Sequence, residues 1–212
     1  MAHEPFVSVV VPTYNRKDAL KDCLDSLFNQ SYPPETYEVI VIDDGSTDGT
    51  KEFLRGYSQR IPRLKYFTQS NKGPAAARNL GIRNSSGEIV CFTDDDCIAD
   101  KEWIKNLVKA YADDKVGCVG GKILPYKPTT LLENYSHKTG ILDQKKFSDE
   151  IGPVITSNTS YSKQILLDLK GFDENLNYGT LNVGEDLDLG IRAKLKLIKF
   201  VYPIPIGTVI PI

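Results

Sequence analysis

Three aspartates in a row, Asp94-Asp95-Asp96, follow directly on the apolar run at 88–93. If the extended conformation persists beyond that run, Asp94 and Asp96 point to one side and Asp95 to the other. Two ionised carboxylates ~5 Å apart repel by ~3 kcal/mol at an effective dielectric of ~20. A divalent cation removes that cost. Hard oxygen donors suit Mg2+ or Mn2+, which keep waters and accept substrate phosphates as further ligands. The same triplet also reads as a solvated acidic loop, or as a cap for the helix that begins near Lys101.

Other polar clusters close apolar runs in the same way. Pro12-Thr13-Tyr14-Asn15 ends the first run, and Asp43-Asp44-Gly45-Ser46 ends the second. The latter fits a turn with Ser46 or Thr47 capping the next helix, or an aspartate that bonds a nucleobase or ribose. Asn71 to Pro74 leads into Ala75-Ala76-Ala77-Arg78-Asn79-Leu80-Gly81, whose small residues allow close packing on a sheet. Arg78 there suits either a phosphate or a surface salt bridge. Glu185-Asp186-Leu187-Asp188 opens a late helix, where carboxylates favour the positive end of the dipole or supply a general base for a hydroxyl proton.

These clusters need a scaffold that brings them together. The runs 6–11, 38–42, 64–67, 88–93 and 116–124 read as buried strands. Between them, 17–30, 48–59, 74–84 and 101–112 read as helices; the first carries Leu20, Leu24, Leu27 and Phe28 at helical spacing. Repeated β-α units predict an α/β fold with a mostly parallel central sheet and helices on both faces. Ligands of such sheets bind outside the carboxyl ends of the strands, which is where the clusters fall. Beyond Pro125 the period changes. Helices and loops are expected over 126–152, a strand at 154–161, helices at 163–169 and 184–194, and a strand at 197–202.

The 212 residues suit one domain with a full core. Hydrophobic residues make up 41% and charged residues 25%, and the net charge of −2 shows no basic stripe for nucleic acid. The four cysteines, Cys23, Cys91, Cys97 and Cys118, form no CxxC pair. They read as reduced, buried thiols of a cytoplasmic protein. The N-terminus has no basic region of a signal peptide. No apolar stretch reaches the ~18 residues that suggest a membrane span. Association with the cytoplasmic face of a membrane stays open.

Taken together, and in this order, the motifs resemble those of the family-2 glycosyltransferases. The resemblance runs from Ser8-Val9-Val10-Val11-Pro12-Thr13-Tyr14-Asn15-Arg16 through Val41-Ile42-Asp43-Asp44-Gly45-Ser46-Thr47-Asp48 and Asn71 to Gly81. It continues with the DxD match at Asp94-Asp95-Asp96, with Gly171-Phe172-Asp173-Glu174, and with Glu185-Asp186. Lys170 stands where the family has a further glycine.

The resemblance implies a GT-A fold in a single domain spanning 1–212. Residues 1–124 would form its nucleotide-sugar half and 125–212 its acceptor half, the latter cut short at the C-terminus. It implies transfer of a sugar, with inversion, from a nucleotide-diphosphate sugar to an acceptor hydroxyl on a glycan or lipid-linked sugar. The donor is most often a uridine diphosphate sugar. Pro12, Thr13, Tyr14, Asp44, Arg78, Asp94 and Asp95 would bind the nucleotide sugar, and Asp96 would hold Mn2+ or Mg2+. Asp186 would be the base, with Glu185, Asn158 and Asp173 on the acceptor side. The histidine that many relatives carry near the position of Pro211 is missing, and the chain has only His3 and His137.

Three alternative readings can be weighed against this one. A non-catalytic nucleotide-sugar-binding subunit of a larger synthase would bind without turnover. A dinucleotide oxidoreductase or a nucleotidyltransferase would need a glycine-rich loop after the first strand, and this strand ends in Pro-Thr-Tyr-Asn.

Overall fold

The computed structural model describes residues 4–126, 155–176, 184–202 and 207–211. The expectations for 127–152, and His3 and His137, lie outside the described residues.

The chain opens with β1 (Val7–Thr13), α1 (Lys17–Phe28), β2 (Tyr37–Asp43), α2 (Thr50–Ser58), β3 (Leu64–Thr68), α3 (Pro74–Asn84) and β4 (Ile89–Phe92). Then come β5 (Ile98–Ala99), α4 (Trp103–Lys109), β6 (Val116–Gly120) and β7 (Lys122–Tyr126). A 3-10 turn at Thr156–Asn158 leads into β8 (Thr159–Ser162), α5 (Lys163–Asp168), α6 (Glu185–Leu195), β9 (Lys199–Val201) and β10 (Gly207–Pro211).

Seven strands form the main sheet in the order β3-β2-β1-β4-β8-β6-β9. β1 runs parallel to β2 and β4, β2 to β3, and β6 to β9; β8 alone is antiparallel to both its neighbours. The alternation of side chains divides the core in two. Val9, Val11, Val39 and Val41 face Leu20, Leu24 and Leu27 of α1, Leu54 of α2 and Trp103 of α4. Val10, Ile40, Ile42 and Phe92 face Ala77 of α3, Leu166 of α5 and Leu189 of α6. Strands covered on both faces need apolar residues at every position, which explains the unbroken runs. On α3, a Cβ at Gly81 would come within 2.3 Å of the Val10 side chain, so the helix lies on β1 at glycine distance.

Several expectations need correction. The single strand expected at 116–124 breaks at Gly121 into β6 of the main sheet and β7 of a small second sheet, ordered β5-β10-β7. The strand expected at 154–161 begins as the 3-10 turn, and its extended part is β8. Neither Ser46 nor Thr47 caps α2. Gly49 takes the N-cap position in a left-handed conformation, and Asp48 instead accepts from the Thr50 hydroxyl and N–H.

Candidate functional site

The carboxyl ends of β1, β2 and β4 meet the start of α3 around a cavity of about 490 Å3. This lies within the ~300–1,000 Å3 typical of small-molecule sites. Pro12, Thr13, Tyr14, Asp44, Arg78 and all three aspartates of the triplet line it, so every residue expected on the nucleotide side is at one place. Arg16, Asn71 and Gly73 line it as well, and the sequence reading gave them no role.

Two loops of the cavity wall are clasped to each other. The Asn15 N–H donates to Ser46 Oγ (2.8 Å), and the Thr47 N–H donates to Asn15 Oδ1 (2.7 Å). The Lys17 N–H donates to Asp48 Oδ2 (3.0 Å). Asn15 holds a left-handed φ of 52°, which asparagine tolerates better than most residues. Gly45 has φ 87°, and an added Cβ would sit 3.1 Å from Asn71 N, so both the dihedral and the space call for glycine. The Asp44 carboxylate accepts from Gln69 Nε2 (2.8 Å) and from the N–H groups of Lys72 (2.9 Å) and Gly73 (2.8 Å). It thereby fixes the entry to α3 while one face stays on the cavity wall.

The acidic triplet does not continue the extended strand. The chain turns, with Cys97 N–H donating back to Asp94 O (3.2 Å), and each carboxylate meets a different partner. Ligand oxygens of Asp94 and Asp96 nevertheless stay within 4.8 Å of each other, as the same-side expectation has it, while Asp95 turns to Thr13. Asp94 Oδ1 takes Arg78 Nη2 (2.9 Å), Asp95 Oδ2 takes the Thr13 hydroxyl (2.7 Å), and Asp96 Oδ2 takes Arg16 Nη1 (2.5 Å). Asp95 is buried. Burial, reinforced by Asp96 and Asp94 and opposed by Thr13 and Arg16, pushes its carboxyl up to about 6.

Arg78 does not lie on a surface helix. It is buried at the start of α3, its guanidinium 5.8 Å from the Phe172 ring centre. It bonds Asp94 on one side and Glu185 Oε1 (2.7 Å) on the other. Glu185 is the first residue of α6, and Asp186 follows it. The Asp186 carboxyl is raised above its ordinary value, first by burial and then by Glu185; the backbone of Leu187 and Thr156 and the charge of Arg78 oppose the shift.

Asn79, beside Arg78, was not singled out in the sequence. Its amide accepts from Phe172 N–H (2.8 Å) and donates to Phe172 O (2.9 Å) and Glu174 Oε1 (2.8 Å), holding the Gly-Phe-Asp-Glu loop. Asp173 projects from that loop, exposed. Asn158 is fully buried; its amide accepts from Trp103 Nε1 (2.8 Å) and donates to Lys122 O (2.8 Å).

The triplet suits a divalent cation. Ligand atoms of Asp94, Asp96 and Cys97 lie within 4.8 Å of one another. Asp94 and Asp96 offer hard oxygens, whereas burial raises the Cys97 thiol and keeps it protonated. Such a donor set fits Mg2+ or Mn2+ completed by phosphates and water.

Residues 8–174 match the family Glycosyl transferase family 2. The glycosyltransferase AglE of Haloferax volcanii is 34% identical over 178 residues, covering 82% of this chain and 58% of AglE. Validoxylamine A glucosyltransferase of Streptomyces hygroscopicus subsp. limoneus is 41% identical, covering 90% of this chain and 48% of that enzyme. The chain thus spans about half the length of the curated relatives it matches. Among solved structures, the mannosyltransferase PcManGT from Pyrobaculum calidifontis, in complex with GDP-Man and Mn2+, superposes with a TM-score of 0.79 at 26% identity. That match covers 98% of this chain and 57% of PcManGT. TarS of S. aureus with UDP-GlcNAc superposes at 0.77 and 22% identity, covers 98% of this chain and 58% of that one, and shows the shared fold. The fold is GT-A, and the chain belongs to glycosyl transferase family 2.

Proposed function

We propose that this chain transfers a sugar from a nucleotide-diphosphate sugar to an acceptor hydroxyl with inversion at the anomeric carbon. The observation that carries the reading is Arg78. One buried guanidinium joins Asp94, on the wall of the nucleotide cavity, to Glu185, next to the carboxylate suited to be the base. The complex of PcManGT with GDP-Man and Mn2+ supports a nucleotide-sugar donor and a divalent metal.

In this reading Asp44 and the two clasped loops hold the nucleoside, with Pro12, Thr13 and Tyr14 against it. Asp94 faces the ribose or sugar side, and Asp95 braces the floor through Thr13. Asp96, with Asp94 beside it, would hold Mn2+ or Mg2+, which when bound would stabilise negative charge on the departing diphosphate. The Asp186 carboxylate takes the proton of the acceptor hydroxyl, and the hydroxyl oxygen attacks the anomeric carbon. The bond from that carbon to the diphosphate oxygen breaks, and the diphosphate leaves with the electron pair. A carboxylate whose value is raised is, once ionised, a stronger base than an ordinary one. Glu185, Asp173 and the segment around Asn158 shape the acceptor side; with Asn158 fully buried, its part is to hold the wall. Residues 1–124 serve the donor and 125–212 the acceptor, a glycan or lipid-linked sugar. The four free, buried cysteines support a cytoplasmic setting, in solution or at the membrane face. No helix among the described residues is long and apolar enough to cross a membrane.

The test is a calorimetric screen of UDP, GDP, TDP and CDP, each with Mn2+, Mg2+ or EDTA, followed by assay of the matching nucleotide sugars for transfer and hydrolysis. Metal-dependent binding of one diphosphate with turnover of its sugar is expected. Binding without turnover would favour a non-catalytic binding subunit, and no binding of any diphosphate would sink the donor assignment.

A further inference from the structure

Two cations line the nucleotide cavity among the described residues, Arg16 and Arg78, and they are held very differently. Arg78 is locked: it is buried, with a carboxylate on each side. Arg16 projects from the β1–α1 loop with 52% of its side chain exposed, its Nη1 2.5 Å from Asp96 Oδ2 and 3.6 Å from Asp95 Oδ1. Its partners are both more buried than it is. Asp95 is 8% exposed and pinned by Thr13, and Asp96 is 29% exposed. The backbone beneath Arg16 is also fixed, because Asn15 is clasped to Ser46 and Thr47. Freedom to move therefore resides in the Arg16 side chain.

We infer that Arg16 is a built-in counter-cation that a divalent ion displaces from Asp96 and that then turns to the donor's diphosphate. This rests on the metal and diphosphate reading above. A guanidinium at 2.5 Å from Asp96 and a divalent ion at ~2.1 Å from the same carboxylate repel each other and draw on the same negative charge. The metal alone must therefore compete with Arg16 for Asp96. Once displaced from Asp96, the guanidinium keeps only its longer contact to Asp95 (3.6 Å), and a diphosphate offers its fork of N–H groups two charged oxygens at closer range. Nucleotide diphosphate removes the competitor by pairing with it, so metal and nucleotide favour each other's binding beyond any direct contact between them. The coupling is reciprocal by linkage.

The experiment measures Mn2+ affinity by electron paramagnetic resonance for the wild-type protein, Arg16→Ala and Arg16→Lys. Each is titrated with Mn2+ alone and again with saturating UDP or GDP, correcting for Mn2+ held by free nucleotide. For Mn2+ alone, Arg16→Ala should bind roughly two- to fivefold more tightly, the worth of one exposed ion pair. Its gain in Mn2+ affinity on adding nucleotide should be smaller than that of the wild type, with Arg16→Lys between them. A purely structural role would weaken both ligands together and so would not give this opposite pair of signs. Wild-type binding of Mn2+ with an Arg16→Ala affinity that is unchanged or weaker overturns the inference and leaves the metal reading standing. Failure of the wild-type and the variant alike to bind Mn2+ overturns both.

Discussion

Arg78 Nη1 lies 2.7 Å from Glu185 Oε1, a bond that spans 107 positions of chain and joins the N-terminal half of α3 to the first residue of α6. Two helix starts, each at the same end of the sheet, are thereby referenced to one guanidinium. Its other arm bonds Asp94. In the proposed reading, a ligand that moves Asp94 acts through Arg78 on the turn that carries Asp186.

Arg78→Met tests that link. The change keeps much of the volume and removes the charge, leaving Glu185 and Asp94 without their cation in a half-covered site. Breaking a buried pair on one side costs ~3–5 kcal/mol; with Asp94 partly open to solvent, a loss of about 2–3 kcal/mol is expected. Urea denaturation in EDTA measures it. A midpoint equal to wild type would show that the bridge carries no stability.

Asp186→Asn removes the proposed base and retains its shape. Transfer should fall by ~10²-fold or more, with nucleotide diphosphate affinity nearly unchanged. In the wild type the ionised carboxylate is the active form, so kcat/KM should fall as pH drops through the Asp186 value. Because burial and Glu185 raise that value, the acid limb should lie above the ordinary aspartate range. A flat profile through that range, or a variant that retains full transfer, would remove Asp186 from the base role.

Asp95 gives a stability test with its own sign. Its folded value, about 6, lies above the ordinary 3.8, so between these values the folded state holds a proton that the unfolded state has released. Metal-free stability therefore falls as pH rises through this window. A shift of this size corresponds to at most ~3 kcal/mol, and with Arg16 and solvent nearby about 1–2 kcal/mol is expected. Asp95→Asn carries no such charge. In EDTA it should be more stable than wild type near about pH 8 and lose that advantage near about pH 4, as read from thermal midpoints. An advantage that grows towards acid would mean that the site stabilises the ionised form.

How much of this was legible beforehand follows from what each residue's neighbours do. β1, β2 and β4 announce themselves because burial on both faces demands unbroken apolar runs, and the polar residues that end them mark the binding edge. β5 does not: Ile98–Ala99 is two residues long, and its strand identity comes from pairing with β10, more than a hundred positions away. The split between β6 and β7 was hidden for a similar reason. Its cause includes Asn158, whose backbone carbonyl accepts from Gly121 N–H and whose amide donates to Lys122 O. The motif aspartates were found by type and position, but the partners that hold them, Thr13 and Arg16 at the end of β1 and Arg78 on α3, lie on two separate segments. Arg78 looked as suited to the surface as to a phosphate, because nothing local shows that Phe172 will cover it. Asn79 passed unnoticed for the same reason: its partners are 93 and 95 positions away.

Lys170 provides the last prediction. It occupies the position after the C-cap of α5, with φ 62°, where the family motif has glycine. The end of α5 forms a paired closing motif: Gly171 N–H donates to Leu166 O (2.8 Å) and Lys170 N–H to Leu167 O (3.0 Å). This geometry requires a left-handed residue at position 170, which costs a lysine ~1 kcal/mol and a glycine little. Lys170→Gly should therefore stabilise the protein by about 0.5–1 kcal/mol, after the greater chain entropy of glycine in the unfolded state is set against the relief. For a chain of this size that is ~1–4 °C in thermal midpoint. The neighbouring position responds in the opposite direction. Gly171 also has a left-handed φ of 67°, and a Cβ there would meet Asn79 Oδ1 at 2.3 Å, so Gly171→Ala should destabilise and loosen the Asp173 loop. If both substitutions lower the midpoint, the strain at Lys170 is offset by contacts of its side chain, and the left-handed geometry is not what limits stability at the end of α5.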